Sequence, residues 1–168
     1  MLQRGPLSIA RGLGSGASGN SGFGYWYSGG WSPNRTTIDR LDYGSDTTTA
    51  VAKGPLSTGN RDRAATGNAN FGYFGGGASG GGAPVLSTVD RVDYSNDTAT
   101  AAEKGPLVSA RYRYYATGNT SYGYWGGGDP GAVSSVDRVD YSSDTSTATP
   151  KGPLSSAKKF AGATGTTS

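Results

Sequence analysis

The sequence predicts an all-β chain, a tandem array of one short-stranded unit repeated about three and a half times in 168 residues. Three observations predict it. Gly-Pro-Leu recurs at Gly5, Gly54, Gly105 and Gly152, spaced by 49, 51 and 47 residues. Asp-Arg-x-Asp-Tyr recurs at Asp39–Tyr43, Asp90–Tyr94 and Asp137–Tyr141, keeping the same order and nearly the same period. Helical periodicity is nowhere sustained, because glycine and proline interrupt every stretch long enough to carry it. A single repeat domain, 1–168, follows, with units at about 5–53, 54–104 and 105–151 and a half-unit at 152–168.

The unit beginning at Gly105 shows how each element arises. Gly-Pro-Leu is a turn that leads into Val108-Ser109-Ala110-Arg111. Tyr112–Thr117 is rich in β-formers, and Gly118-Asn119 reads as a hairpin turn into a strand over Ser121–Trp125. Gly126-Gly127-Gly128 ends that strand and permits close backbone approach. A loop at Asp129–Val133 follows, matching Trp31–Thr37 and Ala78–Leu86 in the earlier units. Its length varies between units, as an exposed loop allows. Ser134–Tyr141 reads as the next strand. The turn Ser142-Ser143-Asp144 then leads into a threonine-rich strand at Thr145–Thr149. Three or four short strands per unit result.

Composition sets limits on what such a chain can be. Only 33% of residues are hydrophobic and 30 are glycine, so one thick core is excluded in favour of thin layers between repeats. Aromatic residues at 11% argue for folding rather than disorder. The net charge of +3 is spread without a basic stripe, which does not fit a nucleic-acid partner. No run approaches the roughly eighteen apolar residues of a spanning helix. Met1–Pro6 has no apolar signal core, so a chain made without a Sec signal of its own is expected. The sequence has no cysteine and no histidine. Ser–His and Cys–His nucleophile pairs are thereby excluded, and a non-enzymatic chain without cofactor is expected.

Candidate site residues follow from the repeats. Arg40, Arg91 and Arg138 sit between acids in every unit, Asp42, Asp93 and Asp140 among them. On a strand, Asp137 and Val139 share one face while Arg138 and Asp140 share the other, so these arginines read as partners in inter-strand or inter-unit ion pairs. With Tyr43, Tyr94 and Tyr141 they form the structural signature of the repeat. Asp90, Asp93 and Asp97, like Asp137, Asp140 and Asp144, have oxygens at short spacing. A turn capped by Asp and Asn explains them better than a metal site, and no metal is expected. Trp26, Trp31, Tyr73 and Trp125 are the candidate ligand-binding residues, since flat rings near loops stack on sugar faces. Filling the space between units is the competing role, which Trp31, in a variable loop, escapes.

The unit resembles the kelch repeat of β-propellers. That family places an Arg near a first strand, then a strand ending in a glycine doublet, then a spaced Tyr. Here Arg111, Gly127-Gly128 and Tyr141 fall in that order, and Gly76-Gly77 with Tyr94 and Gly29-Gly30 with Tyr43 repeat it. The resemblance covers nearly the whole chain and implies four-stranded blades, one per unit. The kelch Trp after the turn is missing, with Ala50, Ala101 and Ala148 near its place. Three and a half units do not close a ring alone, so the expectation is a partial propeller or one completed between chains, with an open β-solenoid as the alternative. The wording of the repeat is also similar to repeats of large aquatic bacteriophage proteins. That likeness implies a structural or adhesive virion component, such as a tail, fibre or host-attachment protein. Its partners would be copies of itself or other virion proteins, and possible targets include a cell-surface glycan. A carbohydrate-binding propeller lectin is the alternative, with an extracellular surface assembly as its location.

Overall fold

A computed structural model of the chain describes residues 16–27, 29–30, 35–159 and 163. Each repeat folds into one four-stranded antiparallel sheet in simple meander order. The first sheet contains β1 (Gly16–Gly19), β2 (Phe23–Tyr27), β3 (Ile38–Asp42) and β4 (Val51–Lys53). The second contains β5 (Ala64–Gly67), β6 (Phe71–Gly75), β7 (Val89–Asp93) and β8 (Ala102–Lys104). The third contains β9 (Tyr115–Gly118), β10 (Tyr122–Gly126), β11 (Val136–Asp140) and β12 (Thr149–Lys151). The architecture is all-β and blade-like, and the first strands β1, β5 and β9 lie side by side.

The expected turns form for identifiable reasons. After Gly19, Gly67 and Gly118 an asparagine accepts two backbone N–H groups through Oδ1. Asn119 accepts from Ser121 and Tyr122, each at 2.9 Å, and Asn20 and Asn68 do the same in their hairpins. The registers are equal in all three sheets: Tyr25, Tyr73 and Tyr124 lie opposite Arg40, Arg91 and Arg138.

The fourth strand departs from expectation. It spans Thr149–Lys151 and not Thr145–Thr149. Residues 144–148 are drawn instead onto the Gly-Pro-Leu connection that opens their unit. The Gly105 N–H donates to the Asp144 carbonyl and the Ala148 N–H to the Pro106 carbonyl, both at 2.8 Å. Gly54 to Asp97 and Ala101 to Pro55 repeat these bonds at the same length. This explains the glycine of Gly-Pro-Leu. A methyl group on Gly105 would run into the Ser146 carbonyl oxygen, and one on Gly54 into that of Ala99.

The core is two thin layers, one in each gap between sheets. Tyr25, Tyr27, Ile38, Leu56, Phe74, Val92 and Ala101 fill the first. Ala64, Tyr73, Val89, Leu107, Tyr114, Trp125, Val139 and Ala148 fill the second. Nearly every position of one layer has its repeat equivalent in the other. Ala101 and Ala148, near the place of the missing kelch Trp, are buried here, and the large ring in each gap comes from β6 or β10. Burying such a side chain stabilises the stack by about 1.5–3 kcal/mol.

Candidate functional site

The polar groups of the repeat converge at the gaps between sheets. Asp97 leaves the 3-10 turn after β7 and reaches back to the first sheet. Its carboxylate accepts from Tyr25 Oη at 2.9 Å and Arg40 Nη1 at 2.7 Å, with Lys53 Nζ at 3.2 Å. Asp144 repeats the arrangement one unit on, with Tyr73 at 2.9 Å, Arg91 at 2.8 Å and Lys104 at 3.3 Å. One strand face supplies each donor set, because Tyr and Arg are register partners and Lys stands on the next strand. Each clamp therefore joins three strands of one sheet to the turn of the following sheet.

Electrostatics match this geometry. Burial opposes ionisation of Asp97, yet the hydrogen bonds from Tyr25, Lys53 and Arg40 outweigh it and hold its carboxyl below the usual carboxylate range. Burial, reinforced by the hydrogen bond to Asp97, pushes the Tyr25 hydroxyl up to about 12. Tyr73 is raised for the same two reasons. Stacked tyrosine pairs adjoin the clamps, Tyr25 on Tyr94 and Tyr73 on Tyr141, each with ring centroids 4.5 Å apart.

A second set of ion pairs lies within the sheets. Arg63 pairs with Asp90 at 2.7 Å with both side chains fully buried. Arg111 pairs with Asp137 at 2.5 Å. These carboxylates also hold the Gly-Pro-Leu segments: Asp90 accepts from the Ser57 hydroxyl and N–H, and Asp137 from the Val108 N–H.

The repeat-signature residues thus divide into three roles. Arg40 and Arg91 make the inter-unit ion pairs, and Arg138 occupies the same register position in the third sheet. Asp42, Asp93 and Asp140 cap the 3-10 turns by accepting the N–H of Gly44, Ser95 and Ser142. Tyr94 and Tyr141 stack across the gaps, whereas Tyr43 is 48% exposed. The neighbouring acids go separate ways: Asp90 to Arg63, Asp93 to its own turn, Asp97 to the preceding sheet. No acidic group with metal-ligand spacing occurs among the described residues.

The four aromatic candidates separate too. Tyr73 and Trp125 are fully buried, so they pack the second gap and present no ring to a ligand. The Trp125 indole N–H donates to the Ala64 carbonyl at 3.2 Å. Trp26 is 40% exposed. Trp31 lies outside the described residues. Sequence reasoning missed a groove of about 390 Å³ across the hairpin ends of the first two sheets, where Phe23 and Phe71 lie with Asn20, Asn70, Asp93 and Ser95. Arg40 and Arg91 cover one face of those rings at 4.4 Å from the centroids.

No family model matches the chain, and no curated protein matches it. No described helix is long and apolar enough to cross a membrane.

Proposed function

We propose that this chain is a structural or adhesive building block, a component of a bacteriophage virion, whose sheets are kelch-type blades that assemble with those of other chains. The repeated clamp is the observation that carries this reading. The Asp, Arg, Tyr and Lys of the repeat serve to fix one sheet on the next, a use of charge suited to building an array. The resemblance to phage repeats gives the setting, a tail, fibre or attachment protein. Peptide mass spectrometry of density-purified particles tests it. Peptides of this chain are expected at the stoichiometry of a structural protein, and their absence from the particles sinks the virion assignment.

A second reading rests on the groove between Phe23 and Phe71. Aromatic rings beside amide, carboxylate and hydroxyl groups suit a sugar, which makes a carbohydrate-binding lectin the alternative. Glycan-array binding that Phe71→Ala abolishes favours it.

A further inference from the structure

Among the described residues the sheet stack has two outer faces, and these carry opposite sides of a gap like the two filled ones. Each filled gap has a donor side and an acceptor side. The donor side presents Tyr, Arg and Lys around an apolar slot. The acceptor side inserts a large ring from its second strand, an Asp from its turn and a Tyr for stacking. On the donor side of the third sheet no following sheet stands among the described residues. Tyr124, Arg138 and Lys151 stand where Tyr73, Arg91 and Lys104 hold Asp144, and Arg138 and Lys151 form no ion pair with any described residue. Beside them opens a pocket of about 290 Å³ lined by Tyr115, Tyr124, Gly126 and Val136 of the sheet and by Leu154, Lys158 and Ala163 of the half-unit. The equivalents of the first four and of Leu154 one unit earlier (Ala64, Tyr73, Gly75, Val89 and Leu107) surround the Trp125 ring.

The first sheet presents the missing acceptor side. Trp26 is the equivalent of Trp125 and Phe74, both fully buried, yet it is 40% exposed. It already has the pose of Trp125. Each indole lies over the glycine two residues before it, Gly24 or Gly123, with the hydroxyl of Tyr43 or Tyr141 beside that glycine. Asp46 is the equivalent of Asp97 and Asp144 and is exposed, and Ala50 is exposed where Ala101 and Ala148 are buried. Tyr43 is 48% exposed where Tyr94 and Tyr141 stack. The backbone agrees: Gly54 and Gly105 are crowded by the following sheet, whereas Gly152 has open space.

We infer that the third sheet of one chain docks on the first sheet of a second copy, with Trp26 entering the Tyr124–Leu154 pocket and Asp46 binding Tyr124, Arg138 and Lys151. This rests on the assembly reading above and specifies its interface. The contact is heterologous, so it closes into a ring or runs on as a filament. Two copies have six sheets between them, within the roughly four to eight blades of propellers, whereas three copies have nine. A closed dimer is therefore the expected product.

Light scattering on the full chain, from about 1 to 100 µM, tests this, a span covering ordinary micromolar association. The wild type is expected at twice 17.0 kDa. Trp26→Ala, Asp46→Arg and Arg138→Asp are each expected to weaken association at least tenfold with an unchanged circular dichroism spectrum, since none of the three side chains belongs to a filled gap. The double variant Asp46→Arg/Arg138→Asp is expected to recover dimer. A wild type that is monomeric throughout overturns the inference. An oligomer unmoved by all three substitutions overturns this interface while leaving assembly intact, and the particle proteomics above judges the virion role separately.

Discussion

Replacing Asp97 by Ala removes the acceptor of three donors at once. Tyr25 is fully buried, so its hydroxyl is left without a partner, which costs about 1–3 kcal/mol. Arg40 and Lys53 lose their counter-charge, but their side chains are 25% and 13% exposed and can turn toward water. Removing one partner of a fully buried pair costs about 3–5 kcal/mol, and exposed pairs are worth about 0.2–1 kcal/mol. The clamp lies between these limits, so Asp97→Ala is expected to destabilise by about 2–4 kcal/mol. Asp97→Asn keeps an acceptor for Tyr25 and loses only the charge, for about 1–2 kcal/mol. Urea unfolding at one low chain concentration measures both, and amide exchange locates the effect. Protection is expected to fall in β1–β4 and to persist in β9–β12, since each sheet contacts only its neighbours. An Asp97→Ala protein within about 0.5 kcal/mol of wild type, the range of a neutral surface change, would show that the clamp does not hold the sheets together.

Three further outcomes follow from the same contacts. The lowered Asp97 carboxyl contributes stability that is complete above the ordinary carboxylate value of about 3.9 and is lost as pH falls through its lower folded value, so the gap between wild type and Asp97→Ala in urea midpoint should shrink on acidification below about pH 4. Trp125→Ala is expected to cost about 3–5 kcal/mol by opening a cavity against Ala64 and Val89, and Trp125→Phe, which copies Phe74 of the second sheet, much less; equal losses by thermal melts would contradict the equivalence of the two gaps. Asp90→Asn strands the fully buried Arg63 charge and should cost about 3–5 kcal/mol, a larger loss than Asp97→Asn in the same assay.

Most of the fold was legible because the repeat announced itself three times over. Hairpins at Gly-Asn, strands ending in glycine runs and turns capped by Asp42, Asp93 and Asp140 are local chemistry, set by residues within three positions of one another. The thin core was legible from the scarcity of apolar residues. The fourth strand was misplaced because Thr145–Thr147 have β-forming side chains while the backbone of that segment is claimed by Gly105 and Pro106, some forty residues away. Asp97 and Asp144 were read as turn residues for a similar reason: their partners Tyr25, Arg40, Tyr73 and Arg91 belong to the preceding unit. Arg63 gave no repeat signal, since it aligns with Tyr114, and Arg111 entered only through the kelch-like order, its equivalent in the second unit being Asn60. What distinguishes Trp26 from Trp125 is position in the array, which no local pattern encodes.

Zero-length carbodiimide cross-linking with peptide mass spectrometry, on a mixture of isotopically light and heavy chains, examines the repeated clamp at all of its positions together. It joins a carboxylate directly to an amine, and Lys53 lies 3.2 Å from Asp97 and Lys104 lies 3.3 Å from Asp144. Links between those two pairs are expected within single chains, and a link between Asp46 and Lys151 is expected between chains. Absence of the first two links would contradict the clamps themselves. Their presence in a chain whose Asp46 and Lys151 never join would confine the clamp to the interior of one molecule.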